Sequence, residues 1–306
     1  MRVAVVGATG VLGRAAVTSL VAAGHDVVGR ARTPERARLL HDLGARASCT
    51  GLDDPDGLVS MFAGADAVCN VATHSPVGRP ALRPRAWRTQ DRLRTDGVRL
   101  VLEAALAAGV RRVVHGSVSY LYADRGDEWV TEASPLDITP ATEPASVAEA
   151  AVQDYTCGSR AGVVLRLGTV LGDDPATRSL LRAAFRGHAV GLGSPSGWAH
   201  VLHTDDVGPA VLAALAVPSG TYNVGAAPVR RCDLVAGFAT AAGRPVGSVG
   251  FVGPLTTRLG GARLEPLTRS LRVSSELLSS VAGWTPTRPE FDSSWVAGAL
   301  VRQAVR

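Results

Sequence analysis

The 306-residue chain is 46% hydrophobic and only 19% charged, a balance that supports a large buried core and argues against a disordered chain. Its formal net charge is +5, but no basic run alternates with aromatic residues, which argues against a nucleic-acid-binding protein. The chain contains no lysine, and all 32 basic residues are arginines. Chemistry that needs a lysine, such as Schiff-base formation or phosphate binding by a P-loop lysine, is therefore excluded.

The start of the chain forms a strand-like apolar segment and does not resemble a signal peptide. No apolar run approaches the ~20 residues of a membrane-spanning helix, so we expect a cytoplasmic protein. The four cysteines form no CxxC pair, and we expect no metal site.

The first two thirds of the chain alternate apolar, strand-like segments with segments of helical periodicity. Strands are predicted at Arg2–Val6, Asp26–Arg30, Ala45–Thr50, Ala65–Ala72, Arg112–Ser117 and Gly162–Gly168. Helices are predicted at Val11–Ala23, Pro34–Leu43, Asp56–Phe62, Trp87–Ala108 and Ala145–Tyr155. Continuous apolar strands that alternate with helices predict an α/β fold with a doubly wound parallel sheet covered on both faces.

The alternation weakens after about Gly172, where glycine, proline and serine become frequent. The elements predicted beyond this point are helices at Asp205–Ala214 and Cys232–Ala242, strands at Thr221–Val224 and within Arg269–Ser274, a helix after that strand, and a helical tail at Phe291–Val305. We expect residues 1–172 to form the α/β domain. Residues 173–306 are expected to form mainly a smaller substrate-binding lobe, with residues 203–225 returning to the sheet.

Three glycines, Gly7, Gly10 and Gly13, follow the first predicted strand and open the first predicted helix. In this position the first glycine permits a tight turn, the second lets the backbone approach a pyrophosphate, and the third lets the helix pack closely on the strand. The pyrophosphate then lies at the positive end of the helix. We therefore predict a dinucleotide-binding segment. The other residues of this segment that we expect to contact the dinucleotide are Thr9, Val11 and Leu12.

The GxxGxxG spacing resembles that of the short-chain dehydrogenase/reductase superfamily, and in particular its extended or atypical branch, the NAD-dependent epimerase/dehydratase-like proteins. The other segments that carry the resemblance are Asp66–Ala72, Ala104–Gly109, Ser117–Asp124, Leu165–Gly172, His203–Val207, Gly220–Gly225 and Ser270–Ser274. The resemblance runs nearly from end to end. It implies a Rossmann-type fold and a nicotinamide cofactor, and it allows a homodimer formed through the two long predicted helices.

The residues at the end of the second predicted strand bear on the choice of cofactor. NAD-binding proteins usually place a carboxylate there, which holds the ribose 2′-hydroxyl. Here Arg30 and Arg32 occupy this region, and an arginine can pair with a 2′-phosphate through charge-assisted hydrogen bonds. NADP(H) is therefore the expected cofactor. The resemblance implies further cofactor contacts at Leu52, Asp53, Asn70, Val71, Ala72 and Thr73.

Most members of the superfamily use a YxxxK pair, in which the tyrosine transfers a proton and the lysine assists it. This chain has no lysine, and the resemblance aligns Ala141 and Ala145 with the two positions. The serine segment is retained in part, because Ser117, Tyr120 and Tyr122 cluster near the end of the fifth predicted strand. A serine there can bind a substrate carbonyl, and either tyrosine can act as a relocated acid. The alternative for Tyr122 is structural packing, as in the family's SSxxxYG motif.

Two histidines are further candidates for proton transfer, because histidine titrates near neutral pH. His74 directly follows the fourth predicted strand, and His200 lies in a loop on the same side of the predicted sheet. The alternative for His74 is a polar loop residue. His203 and Asp206 match the family's HxxD element, which generally caps the helix that follows it.

The leading functional hypothesis is an NADP(H)-dependent oxidoreductase that acts on a small carbonyl or alcohol with a nonstandard proton donor. One alternative is a redox-neutral epimerase, dehydratase or cyclase of a biosynthetic pathway, and another is a catalytically inactive NADP(H)-binding regulator. The expected partner is a small-molecule substrate, not nucleic acid or a membrane. Trp87 and Trp198 either wall a pocket for an apolar or aromatic substrate or pack in the core.

Overall fold

A computed structural model describes residues 1–253 and 263–301 of the chain. Seven strands form one sheet, and they are β1 (Arg2–Val6), β2 (Asp26–Arg30), β3 (Arg46–Ser48), β4 (Ala67–Asn70), β5 (Arg112–Val118), β7 (Ala161–Leu167) and β11 (Gly220–Val224). Their order is β3-β2-β1-β4-β5-β7-β11, and every neighbouring pair is parallel. This confirms the predicted Rossmann-type doubly wound sheet.

The described helices cover both faces of this sheet and build the C-terminal part of the chain. They are α1 (Val11–Ala22), α2 (Pro34–Asp42), α3 (Pro55–Phe62), α4 (Arg88–Arg92), α5 (Val98–Ala107), α6 (Glu143–Asp154), α7 (Pro175–Phe185), α8 (Thr204–Ala213), α9 (Arg231–Ala241), α10 (Glu276–Ala282) and α11 (Ser294–Val301). Short strands pair outside the main sheet, and they are β6 (Trp129–Val130), β8 (Thr169–Leu171), β9 (Trp198–Ala199), β10 (Val201–His203), β12 (Val229–Arg230) and β13 (Arg272–Val273).

Successive side chains of each central strand enter two different cores, because the period of a strand is two. On β1, Val3 and Val5 pack with α1 and α8, whereas Ala4 and Val6 pack with α3, α5 and α6. These four side chains are fully buried. Burial on both faces explains why the strands of this sheet read as unbroken apolar segments in the sequence.

The predicted helix Trp87–Ala108 is interrupted in the structure. It consists of α4 and α5 joined by a π turn at Leu93–Gly97. A π turn widens the helix by one residue and re-aims the side chains on it, and such turns are frequent at functional sites. Periodicity alone does not reveal this insertion.

The C-terminal part has a hydrophobic core of its own, formed mainly by α7, α9 and α11. The helix α7 was not predicted, although Asp174 caps it by accepting hydrogen bonds from the amides of Ala176 and Thr177. The predicted tail Phe291–Val305 is helical from Ser294 to Val301, and residues 302–305 lie outside the described residues. Among the described residues, no helix is long and apolar enough to cross a membrane.

Strand order reverses direction between β1 and β4, since the chain adds β2 and β3 on one side of β1 and returns to add β4 on the other. In doubly wound sheets, ligands bind in the crevice outside the carboxyl ends of the strands at this switch point. The loops after β1, β2, β3 and β4 therefore form the candidate cofactor site, and the loop after β5 lies next to them.

Candidate cofactor and substrate site

The glycines of the first loop are required by close backbone contacts. Gly7 has a φ of +83°, and a Cβ atom there would lie 2.6 Å from the backbone of Ala72 in the loop after β4. A Cβ atom at Gly13 would lie 2.1 Å from the carbonyl oxygen of Gly7. Any side chain at these positions would fill the cradle or push α1 away from β1. The residues present therefore fit a dinucleotide held by the backbone.

The N-terminus of α1 is prepared for an anion. Gly10 is its N-cap residue, and no side chain caps the first amides of this 12-residue helix. Gly10 itself donates its amide hydrogen to the carbonyl of Gly7 at 2.9 Å, which shapes the turn. The uncapped amides and the helix dipole together favour a pyrophosphate at this position.

Three arginines surround the end of β2. Arg30 is half-buried, and its Nε donates to the carbonyl of Thr50 at 2.7 Å. Burial lowers the pKa of Arg30, and the positive charge of Arg32 lowers it further. Arg32 is exposed in the loop before α2. Arg36, which the sequence analysis did not single out, reaches across the loop and donates from Nη1 to the Thr9 hydroxyl at 2.8 Å.

The other predicted cofactor residues lie at the carboxyl ends of β3 and β4, as the topology requires. Leu52 is half-buried, and Asp53 is exposed after β3. Asn70 is buried at the end of β4, where its side-chain oxygen accepts the Ala72 amide at 3.3 Å. The structure thus brings together at one edge of the sheet the positions predicted to contact the cofactor, which are Gly7, Thr9, Gly10, Val11, Leu12, Gly13, Arg30, Arg32, Leu52, Asp53, Asn70, Val71, Ala72 and Thr73.

Gln90 on α4 organises the loop after β4. This buried side chain accepts hydrogen bonds from the Thr73 hydroxyl at 3.2 Å and from the His74 amide. His74 itself is exposed, so its ring remains available to a ligand. A glutamine within a helical pattern gives no sequence signal for this function, because the contact joins two segments that are distant along the chain.

Ser117 is buried and does not reach the cleft as an available donor. Its hydroxyl donates to Glu149 on α6, and Glu149 also accepts hydrogen bonds from Arg166 on β7, the shortest at 2.6 Å. The side chains of Arg166 and Glu149 are only 5% and 4% exposed. The Ser117 hydroxyl therefore bonds to a buried ion pair and is not free to bind a ligand. This corrects the expectation that Ser117 binds a substrate carbonyl.

Two other candidates are also buried away from any ligand. The Tyr122 hydroxyl donates to Asn223 at 2.8 Å, and burial raises the pKa of Tyr122. His200 is 3% exposed, and burial lowers its pKa to about 3. Its ring would lie 2.0 Å from a Cβ atom at Gly225, so it packs against the end of β11. The structure therefore favours the packing alternative for Tyr122 and corrects the expectation that His200 faces a substrate.

A narrow cleft borders the end of β5 and contains another candidate, Tyr120. Its lining residues are Trp87, Tyr120, Ala141, Arg263, Pro266 and Leu267. It has room for about one water molecule, with an open volume of about 10 Å³. Ala141, the residue that the resemblance aligned with the family's tyrosine, thus lies on the same cleft as Tyr120. Trp87 also lines it, whereas the Trp198 ring lies against the guanidinium groups of Arg230 and Arg272, at 3.9 Å and 4.8 Å from its centre.

The HxxD element has the structural function that the resemblance implied. His203 is the N-cap residue of α8, and its ring accepts the Asp205 amide at 3.2 Å. Asp206 is fully buried and accepts the Thr287 amide at 2.7 Å, which fastens the segment before α11 to α8. Neither residue is directed to the cleft.

The sheet, the glycine loop and the cleft define a dinucleotide-binding α/β enzyme of the dehydrogenase or epimerase type. Residues 3–225 match the model of the NAD dependent epimerase/dehydratase family, and the chain belongs to this family. The match to this family supports a nicotinamide dinucleotide as the cofactor.

Two curated proteins and one solved structure illustrate what the chain is similar to. Over 304 residues it is 31% identical to the 3-diazoavenalumate denitrifying reductase of a Streptomyces species, covering 95% of this chain and 98% of that protein. Over 153 residues it is 35% identical to the 4-hydroxy-2-methyl-3-oxo-4-farnesyl-3,4-dihydroquinoline-1-oxide ketoreductase of Stigmatella aurantiaca, covering 49% and 44% of the two chains. MoeE5 in complex with UDP-glucose and NAD superposes with a TM-score of 0.79 at 24% identity, with both chains fully covered, which shows a shared fold.

Proposed function

We propose that this protein is an NADP(H)-dependent reductase of a small, planar carbonyl compound. The observation that carries the cofactor choice is the group of arginines at the end of β2. Arg30 and Arg32 stand where a carboxylate would bind the 2′-hydroxyl of NAD, and the positive charge of Arg32 acts on Arg30 at close range. A bound 2′-phosphate would relieve this repulsion between like charges.

Arg32 and Arg36 are the side chains that would hold the 2′-phosphate. Arg30 is engaged with the Thr50 carbonyl through its Nε, whereas Arg32 is exposed and lies before the N-cap residue of α2, Thr33. Arg36 already lies over the glycine loop through its bond to Thr9. Arg32 directly precedes the N-cap residue of this nine-residue helix and Arg36 lies in its first turn, so both arginines are close along the chain to the helix N-terminus. Each of these groups favours a phosphate dianion.

The reductive direction is supported by the relatives. The relative that matches almost the whole chain is named a reductase, and the one that matches half of it is named a ketoreductase. The cleft supports a planar substrate, because its walls combine the Trp87 and Tyr120 rings with Pro266 and Leu267. A substrate enters this narrow cleft only if the wall side chains move apart. A flat ring system needs the smallest separation of the walls.

The cofactor proposal is tested by titrating the protein with NADPH and with NADH. We expect tighter binding of NADPH, and we expect Arg32→Ala and Arg36→Ala each to weaken NADPH binding by roughly 10- to 100-fold, the effect of one charge-assisted hydrogen bond. Neither substitution should change NADH binding to a similar extent. Arg38→Ala is the matched control, because Arg38 is exposed on the same helix. Equal affinities for the two cofactors would refute the NADP(H) assignment.

The reductase proposal is tested by following NADPH absorbance with aromatic and conjugated ketones and aldehydes. Oxidation of one NADPH per alcohol formed supports it. Product formation without net NADPH consumption would support a redox-neutral epimerase, dehydratase or cyclase instead. Tight NADPH binding without turnover of any compound would support a regulator.

A second candidate reaction is the denitrifying reduction of an aryl diazonium compound. It is favoured by the full-length relative named for that type of reaction and by Ala141 in the wall of the cleft. Hydride would form a new C–H bond on the ring carbon while the C–N bond breaks and dinitrogen leaves with the bonding electrons, which neutralises the diazonium charge. No proton donor is needed in this reaction. Release of one dinitrogen per NADPH oxidised would select it over carbonyl reduction.

A further inference from the structure

We infer that Tyr120 donates the proton in carbonyl reduction and that Arg94 is the residue that positions and charge-stabilises its hydroxyl. This inference rests on the proposed function, which supplies the hydride and the carbonyl. Arg94 Nη2 donates to Tyr120 Oη at 3.2 Å, and its guanidinium carbon lies 5.9 Å from the centre of the Tyr120 ring. Tyr120 lines the cleft, so its hydroxyl group is the one polar phenol at the candidate substrate position among the described residues.

The hydrogen bonds of the tyrosines single out Tyr120. All four tyrosines of the chain lie within the described residues. Three of them use their hydroxyl proton inside the protein, since Tyr122 donates to Asn223, Tyr155 to the Val110 carbonyl and Tyr222 to the Pro218 carbonyl. No residue in 1–253 or 263–301 accepts the hydroxyl proton of Tyr120, whose oxygen instead accepts a hydrogen bond. That proton is therefore available to a substrate oxygen.

Arg94 is a buried cation without a carboxylate partner among the described residues. It is 8% exposed, whereas the nearby arginines Arg263 and Arg269 pair with carboxylates. Burial of a guanidinium is costly unless an anion or several hydrogen bonds compensate it. The phenolate that forms on Tyr120 when its proton leaves would be such an anion. The Arg94 charge therefore favours the state that proton donation produces.

The helix that carries Arg94 connects it to the cofactor loops. Gln90 on α4 and Arg94 in the following π turn both point into the protein, where Gln90 holds the Thr73–His74 loop and Arg94 holds Tyr120. One helix thus fixes the ends of two neighbouring strands, β4 and β5. This arrangement keeps Tyr120 beside the loop that is predicted to line the nicotinamide ribose.

The proposed step balances in atoms and electrons. A bound reduced nicotinamide would supply the hydride that the carbonyl carbon receives, and the C=O π electrons would move to oxygen. The Tyr120 O–H bond breaks, its proton forms the alcohol O–H bond, and the phenolate remains bonded to Arg94. Solvent returns the proton to Tyr120. A second cavity of about 240 Å³ is bordered by Arg94, Val98, Val147 and Ala148 among others.

Tyr120→Phe is the first test. We expect kcat for carbonyl reduction to fall by roughly 100-fold or more, the usual contribution of a general acid, with NADPH affinity within about twofold of the wild type. Tyr222→Phe is the matched control, because it removes a hydroxyl that donates to a carbonyl far from the cleft. The inference is overturned if the wild type reduces ketones and Tyr120→Phe keeps more than about a third of its kcat. The proposed function would stand in that case.

Arg94→Lys and Arg94→Met separate positioning from folding. The lysine variant retains a cation, so we expect its kcat to be at least roughly tenfold higher than that of Arg94→Met. KM should be nearly unchanged in both variants. Equal loss in the two variants, or a loss confined to KM, would contradict a positioning role for Arg94.

Discussion

Replacing Glu149 by glutamine should destabilise the protein far more than a typical surface substitution. The change leaves the Arg166 guanidinium, 5% exposed, without its carboxylate partner. It also removes one of the oxygens that accept hydrogen bonds from Arg166 Nε at 3.1 Å. Breaking a buried ion pair by removing one partner costs about 3–5 kcal/mol. We expect about 3 kcal/mol, because the glutamine carbonyl still accepts one hydrogen bond.

The matched control is Glu103→Gln, another helical glutamate paired with an arginine. Glu103 accepts from Arg99 at 2.7 Å, but both side chains are more than half exposed. Exposed pairs contribute about 0–1 kcal/mol. The two substitutions make the same chemical change, and they differ in burial and in the additional Ser117 hydrogen bond at Glu149. Urea unfolding followed by circular dichroism and tryptophan fluorescence gives both free energies of unfolding.

The double variant Glu149→Met/Arg166→Met completes the test. Removing both charges leaves no unpaired ion, so its loss of stability should be smaller than that of Glu149→Gln alone. A loss below about 1 kcal/mol for Glu149→Gln, equal to that of Glu103→Gln, would refute the reasoning that burial makes this pair critical. Ser117→Ala, which removes the third member of the cluster, should cost about 1–3 kcal/mol and leave turnover largely unchanged.

Two further predictions concern the pH dependence of stability and the glycine loop. The unfolded chain binds a proton at His200 near pH 6.5 that the folded chain binds only near pH 3, so stability is lost as the pH falls through this window, by about 1.4 kcal/mol per pH unit. His200→Gln should therefore flatten the decline in the free energy of unfolding between about pH 6 and about pH 4. A slope equal to that of the wild type would contradict the assignment. Gly13→Ala should abolish NADPH binding or prevent folding, because its Cβ would meet the Gly7 carbonyl at 2.1 Å. Gly298→Ala, which has open space around it, should change NADPH affinity by less than about twofold, and retained binding in Gly13→Ala would contradict the cradle geometry.

The sequence alone was sufficient to predict elements whose residues are neighbours along the chain. The strands Arg2–Val6 and Asp26–Arg30 have the predicted bounds, because both are short apolar runs bounded by glycine or charged residues. Tyr155, the last residue of a predicted helix, packs at the end of α6, where its hydroxyl donates to the Val110 carbonyl. The helix α7 escaped prediction because it lies in a region rich in glycine, proline and serine.

The candidate site was predicted unevenly. The cofactor positions follow consecutive strands of one parallel sheet, and topology then requires them to share an edge. Ser117 and Tyr120 are three residues apart at the end of the same strand, yet the first side chain is buried against Glu149 and the second faces the cleft. Their environments depend on which helix covers each one. Neither the identity of the residue nor its distance along the chain contains that information.

By itself, the sequence determined the α/β fold, the glycine loop and the family, because periodicity and glycine spacing are local properties that many residues specify together. It also determined that no lysine assists catalysis. The tertiary structure decided which polar side chains meet. Arg94 finds Tyr120 across 26 positions, Arg36 finds Thr9 across 27, and Gln90 finds Thr73 across 17. Such contacts arise from the packing of helices against strand ends, where a single turn of helix changes a side chain's partner.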